Sequence, residues 1–284
     1  MTALALNIIF TVFFFHTIRL AQTRGRNVMV VGVVNYFVAS PVCFAISYST
    51  GVTDLSTPTL FWGFVQGICF IVTYYLLCSS MNVSGMAITT AILRLAVVIP
   101  VIASILIWDE IPTTLQVVGI VTCLGALPLI GLRTKAREGE ARPPITVGVI
   151  VVIVLLFVGI GIANLASKAF VESGVPDVNT TFVGVLFGVA GLAGLLAFLD
   201  PAWRQDLSGV ADGVRLGLIN VASITFQVMA LEQVDGIIAF PVQAAGGMTL
   251  NTLWAAWIWG ERFAGKTIAG MAIAVVGLVL INLA

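Results

Sequence analysis

Charge is scarce in this sequence. Only 9% of its 284 residues are Asp, Glu, Lys or Arg, against about 25% in a soluble domain. The basic and acidic residues number 13 each and cancel, so nothing suggests a nucleic-acid partner. There is one histidine, His16. The four cysteines, Cys43, Cys69, Cys78 and Cys123, lie in apolar segments at no metal-ligand spacing. They read as small hydrophobes, with neither a metal site nor a disulfide framework expected. No G-x4-G-K-[ST] occurs, which removes a P-loop nucleotide engine. No cofactor is expected.

What remains is apolar. Hydrophobic residues make up 60% of the chain and the mean hydropathy is +1.11. Most of such a surface does not face water, so an integral membrane protein is expected. A spanning helix needs about 20 apolar residues. Ten candidate spans stand out: 3–20, 28–49, 61–80, 85–107, 112–131, 145–166, 178–199, 212–231, 236–258 and 264–283. Lipid offers backbone groups no partner, so these are read as helices and the fold as all-α. The first run is followed, not preceded, by Arg19, Arg24 and Arg26. It therefore reads as a retained helix, not a signal peptide.

The longest polar stretch between spans, RTKAREGEARPP at 133–144, separates five helices from five. Sliding residues 74–131 by 151 positions lays them on 225–282 without a gap. Gly85 then meets Gly236, Trp108 meets Trp259, Glu110 meets Glu261 and Gly119 meets Gly270. Val83, Ile107, Leu127, Leu129 and Ile130 also meet identical residues. The halves 1–137 and 138–284 thus read as two repeats. Five spans is an odd number, so the second repeat enters the membrane inverted. On this count Arg19, Arg24, Arg26, Arg133, Lys135, Arg137, Arg142, Arg204, Arg215, Arg262 and Lys266 share one face, and only Lys168 lies at the other. The positive-inside rule makes the first face cytoplasmic and puts both termini outside.

This pattern resembles the drug/metabolite transporter superfamily, in its ten-helix EamA-like branch. The resemblance rests on the paired repeats, on the W-x-E turns at Trp108–Glu110 and Trp259–Glu261, and on glycine-rich closing helices (Gly119, Gly125; Gly270, Gly277). It implies a plasma (inner) membrane carrier of small organic solutes without an ATP-binding domain. It also implies a central cavity between the repeats, open to one side at a time. Partners would be a small-molecule substrate and membrane lipid, with the chain a monomer or weak homodimer.

The residues themselves suggest a site. Arg94, in ILRLAVVIP, is a permanent charge near the middle of the fourth span with no acidic neighbour. Placing it there costs about 2.5–3.5 kcal/mol on insertion scales. Two readings stand: an anchor for an anionic group such as a carboxylate, or a structural donor to carbonyls freed by Pro100 or Pro241. No span carries a central carboxylate, which weakens a multidrug or cation exporter and an intramembrane enzyme alike. Asn220, Ser223 and Gln227 recur at i, i+3, i+7 and share a face of the eighth helix. Gln243 lies near the centre of the ninth, and Thr90, Tyr74 and Tyr75 complete the candidate lining. Interhelical hydrogen bonding is the competing account of all of them. Pro100 and Pro241, with Gly246 and Gly247, are candidate gating elements, and His16 a candidate proton relay against a packed interfacial role. Glu110 and Glu261 are expected to complement the N-terminus of the next helix. Lys168 and Glu172 are expected as an exposed pair. Gly184–Gly188 and Gly213–Gly217 match small-xxx-small packing within one bundle.

The expectation is an exporter of an amino acid or other carboxylate-bearing metabolite, working by alternating access. The alternatives are an importer of a sugar or other neutral solute with Arg94 structural, and a multidrug or cation exporter.

Overall fold

The structure is a computed structural model and describes residues 1–80, 95–131, 147–175, 179–199, 206–260 and 265–283. Ten α-helices occur among them: α1 Thr2–Thr23, α2 Val28–Thr50, α3 Thr57–Ser80, α4 Val98–Ile107, α5 Thr114–Gly131, α6 Val147–Glu172, α7 Asn179–Gly194, α8 Val210–Gln233, α9 Gly236–Trp259 and α10 Gly265–Asn282. A 3-10 turn, Leu195–Leu199, follows α7. No strand occurs among the described residues. Six of the helices, α1, α2, α3, α6, α8 and α10, are long and apolar enough to cross a membrane.

Helix ends follow from side-chain chemistry. Asn27 opens α2, its Oδ1 accepting from Met29 N (3.1 Å) and Val30 N (3.4 Å). Gly51 closes it in the left-handed region at φ 72°. Thr113 and Gln116 form a reciprocal capping box before α5: Thr113 N donates to Gln116 Oε1 (2.8 Å) and Gln116 N to Thr113 Oγ1 (3.2 Å). The fourth expected span is interrupted. Leu95 is helical, Ala96 and Val97 form a turn, and α4 starts at Val98. Pro100 explains the position, because its ring clashes with the carbonyl four residues back, that of Ala96. By contrast, α9 continues through Pro241.

The chain packs as two compact units. The first comprises Met1–Cys78 with Ile162–Gln233. Its core gathers Met29, Tyr36, Phe170, Phe182, Phe187 and Val228. Within it α8 packs on α1 and α2, and α2 on α7. Gly213 and Gly217 let α8 approach the α2 backbone: a Cβ on Gly213 would sit 2.9 Å from Val31 O, and one on Gly217 2.8 Å from Asn35 O. Gly184 and Gly188 face Phe44 and Ser40 of α2. Both small-residue motifs therefore serve packing inside this unit.

The second unit comprises Ser79–Gly161 with Val234–Ala284. Here α5 packs on α10 and α9, and α9 on α4. The α5–α10 crossing is a backbone contact: a Cβ on Gly277 would lie 2.9 Å from both Gly119 O and Cys123 N. Each unit draws helices from both halves of the sequence.

Candidate solute-binding face

The i, i+3, i+7 face of α8 is buried, and each of its polar residues meets a different part of the first unit. Asn220 Nδ2 donates to Asn35 Oδ1 on α2 (3.1 Å). Ser223 Oγ pairs with Thr11 Oγ1 on α1 (3.1 Å), and Ser223 O accepts from Asn7 Nδ2 (2.8 Å). Gln227 Nε2 donates to Asn164 Oδ1 on α6 (3.2 Å). On the α3–α6 contact Ser167 Oγ donates to Gln66 Oε1 (3.0 Å).

These carboxamides are only half used. Asn7 Oδ1, Asn35 Nδ2 and Gln66 Nε2 are buried without a hydrogen-bond partner. An interhelical hydrogen bond in a membrane contributes about 0.6 kcal/mol on average. An orphaned buried polar atom costs about 1–3 kcal/mol. By these magnitudes an unpaired half costs at least as much as a paired half contributes. Groups of this kind offer donors and acceptors to a polar guest or to water.

The other sequence-designated residues are distributed differently. Tyr74 is buried in the first unit, its ring against Gly32 and its hydroxyl donating to Val28 O (2.7 Å). Tyr75, the next residue, is exposed. His16 is half-buried on α1. In the second unit Pro100, Pro241 and Gly247 are buried, while Gln243 and Gly246 are half-buried. Arg94, Thr90, Glu261, the 133–144 stretch, Arg204 and Arg262 lie outside the described residues.

Two expectations need correction. Lys168 is not an exposed partner for Glu172: it is 2% exposed and its Nζ lies 2.5 Å from Glu172 Oε1. The helix continues well past the expected end at 166, so the ammonium is carried into the unit with its counter-ion one turn on. Glu110 does complement a helix N-terminus, but not that of the next helix. Its Oε1 accepts from Gly236 N (3.0 Å) and its Oε2 from Ile237 N (2.9 Å), at the start of α9. The capping box of Thr113 and Gln116 already serves α5.

Sequence reasoning passed over Asn7, Asn35, Asn164 and Gln66. Their signal was available: each is a lone carboxamide in an apolar stretch (LALNII, VVNYFV, GIANLA, FVQGIC).

Helices without strands among the described residues, six of them long and apolar enough to cross a membrane, together with buried carboxamides, indicate a multi-pass membrane protein. Residues 147–283 match the EamA-like transporter family. The second half of the chain is thus similar to EamA-like transporters, which is consistent with a member of the drug/metabolite transporter superfamily and points to a membrane transporter. An uncharacterized protein of Haemophilus influenzae is 23% identical over 243 residues, covering 85% of this chain and 81% of that protein. A protein of known crystal structure shares the fold, with a TM-score of 0.76 at 16% identity over 99% of this chain and 98% of that one.

Proposed function

We propose that this chain is a ten-span secondary transporter of two inverted five-helix repeats, 1–137 and 138–284. It exports a small carboxylate-bearing metabolite, an amino acid in the first instance, across the plasma (inner) membrane by alternating access. Both termini lie on the outer, periplasmic face. The half-satisfied carboxamides packed against the polar face of α8 carry the reading, because Asn7 Oδ1 and Asn35 Nδ2 are hydrogen-bonding capacity left without a partner. Asn220 and Gln227 orient the solute beside it, Arg94 binds the negative group as a fork of donors, and Thr90, Tyr74, Tyr75 and Gln243 contribute contacts.

Two further observations support the repeats. The family match at 147–283 has nearly the bounds of the second one. In the α5–α10 crossing, a Cβ on Gly119 would meet Ile281 N at 2.9 Å and one on Gly270 would meet Ile130 N at 2.9 Å. The 151-residue shift carries Gly119 onto Gly270 and Ile130 onto Ile281, so each contact maps onto the other. Cys123 and Ala274, also mates under that shift, meet at Sγ to O 3.7 Å. Contacts that exchange in this way are what a two-fold relation requires. The turn at Ala96–Val97 supplies an interrupted helix of the kind transporters use at their sites.

A second reading has its own observation. The described face holds only carboxamides and hydroxyls, which suits import of a neutral solute such as a sugar. Proteoliposome uptake separates the two. On the first reading carboxylates compete, Arg94→Ala abolishes uptake and Arg94→Lys recovers it poorly. Full uptake by Arg94→Ala, with competition by sugars alone, overturns the carboxylate reading. A reporter fused to the C-terminus tests the orientation, which a cytoplasmic signal would refute.

A further inference from the structure

Three arginines from two separate segments converge on one buried carboxylate at the end of the first unit. Asp212, in the first turn of α8, is 5% exposed. Arg24 Nη1 lies 3.6 Å and Arg215 Nη1 3.7 Å from its Oδ1, and Arg26 Nε lies 3.8 Å from its Oδ2. The three guanidinium side chains are 47%, 65% and 46% exposed, in that order. Each guanidinium has five N–H donors, whereas a carboxylate offers about four acceptor sites. At these separations the arginines neutralise Asp212 while their side chains stay about half exposed or more, which leaves donors over for a further anion. The neighbouring acid does little to change this: both Asp206 oxygens are engaged by Ser208, from its N (2.8 Å) and its Oγ (2.9 Å). Counting Asp206, the three guanidiniums still outnumber the carboxylates.

The cluster also has a fixed level. Arg24 and Arg26 occupy the turn between the end of α1 at Thr23 and the start of α2 at Val28. That turn joins two spanning helices, so it lies where hydrocarbon gives way to head groups. From the same level an apolar stripe runs along α8. Val210, Val214 and Leu218 recur at i, i+4, i+8 and are all exposed. Exposed guanidiniums and an exposed aliphatic track that adjoin at Arg215 and Leu218 (i, i+3) are the two halves of a phospholipid's shape.

We infer that Arg24, Arg26 and Arg215 bind the phosphate of an anionic membrane phospholipid whose acyl chain lies along Val210, Val214 and Leu218. The shared chemistry with free phosphate is the guanidinium–phosphate pair; the stripe is what selects the lipid. Asp212 holds the arginines in register and limits their strength.

Thermal unfolding of the purified full-length protein in neutral detergent tests this. Phosphatidylglycerol should raise the melting temperature in a saturable way, while phosphatidylcholine and inorganic phosphate should not. A basic side chain near an anionic surface contributes about 1 kcal/mol, or roughly fivefold in affinity. Arg24→Gln and Arg215→Gln, each checked for retained helicity and monodispersity, should therefore weaken the phosphatidylglycerol midpoint about fivefold apiece. Lys266→Gln, in the second unit, should leave it unchanged. Asp212→Asn, which removes the competing charge, should tighten it. Equal stabilisation by phosphatidylcholine or by inorganic phosphate overturns the assignment. So does an Arg215→Gln effect no larger than that of Lys266→Gln.

Discussion

Glu110 reaches across the second unit to hold the start of α9, its two carboxylate oxygens accepting from the backbone N–H groups of Gly236 and Ile237 at 3.0 and 2.9 Å. Asp235 precedes that helix without a side-chain capping bond, so Glu110 is the acceptor for these two donors. Asp109 adopts φ 52° just before it, a left-handed conformation that Asp tolerates better than most residues. A carboxylate at a helix N-terminus also complements the helix dipole. Glu110→Ala is expected to lower stability by about 1–2 kcal/mol, and Glu110→Gln, which keeps one acceptor, by less. Melting of the purified variants in one detergent measures both. Equal melting of wild type and Glu110→Ala would show the cap to be idle.

The glycines of α5 are not equivalent, and their differences are predictive. A Cβ on Gly119 would meet backbone atoms of Gly277 and Ile281 at 2.9 Å, while one on Gly125 would meet nothing within 4 Å. Backbone cannot step aside as a flexible side chain can. Gly119→Ala and Gly277→Ala are expected to cost about 1–3 kcal/mol through overpacking. Gly125→Ala is expected to be neutral or to gain up to about 1 kcal/mol from helix propensity. A loss in Gly125→Ala as large as in Gly119→Ala would contradict the geometry.

Helix positions were legible because each is an apolar run bounded by polar or turn residues: 112–131 is expected and Thr114–Gly131 observed, 236–258 expected and Gly236–Trp259 observed. The failures have physical causes. The end of α6 was set too early, at 166, because Lys168 reads as a surface charge in sequence, yet Glu172 one turn on lets it be buried. Pro100 signals a disturbed helix, but the break falls at Ala96–Val97, where its ring and the preceding carbonyl compete for space. The polar face of α8 was visible from its own spacing. Its partners were not, because Asn7, Asn35 and Asn164 come from three other helices and no local spacing reports a tertiary pair. Glu110 shows the same limit: a helix cap is a local expectation, and this one is made with a helix distant in sequence.

Among the described residues outside the spans, Asp206 contributes acid sensitivity. The Ser208 hydroxyl and N–H bonds to Asp206, aided by the charge of Arg26, hold its carboxyl below the ordinary value of 3.8. The depressed value means the folded state favours the ionised form. Its stabilising contribution is present above the ordinary value and is lost as pH falls below it. Asp206→Asn is therefore expected to flatten the acid limb of the melting-temperature profile below about pH 4, with a small loss at neutral pH because the group is exposed. An acid limb unchanged by the substitution would assign that sensitivity elsewhere.

The pair Asn35–Asn220 separates the cost of a buried polar face from its use. Asn220→Ala removes the donor to Asn35 Oδ1 and leaves that carboxamide, buried and already carrying an unpartnered Nδ2, with no side-chain hydrogen bond among the described residues. The expected loss is about 1–3 kcal/mol. The double variant Asn35→Leu with Asn220→Leu removes both polar groups and fills the space with apolar side chains of similar size, which is expected to restore stability to wild type or above. If the face serves only to join helices, uptake in proteoliposomes should recover along with the melting temperature. If it hydrogen-bonds the solute, the double variant should be stable and inactive, with the loss seen as weaker solute-induced thermal stabilisation. A stable double variant with wild-type uptake would leave Asn220 a packing residue and move the search for the solute to Arg94.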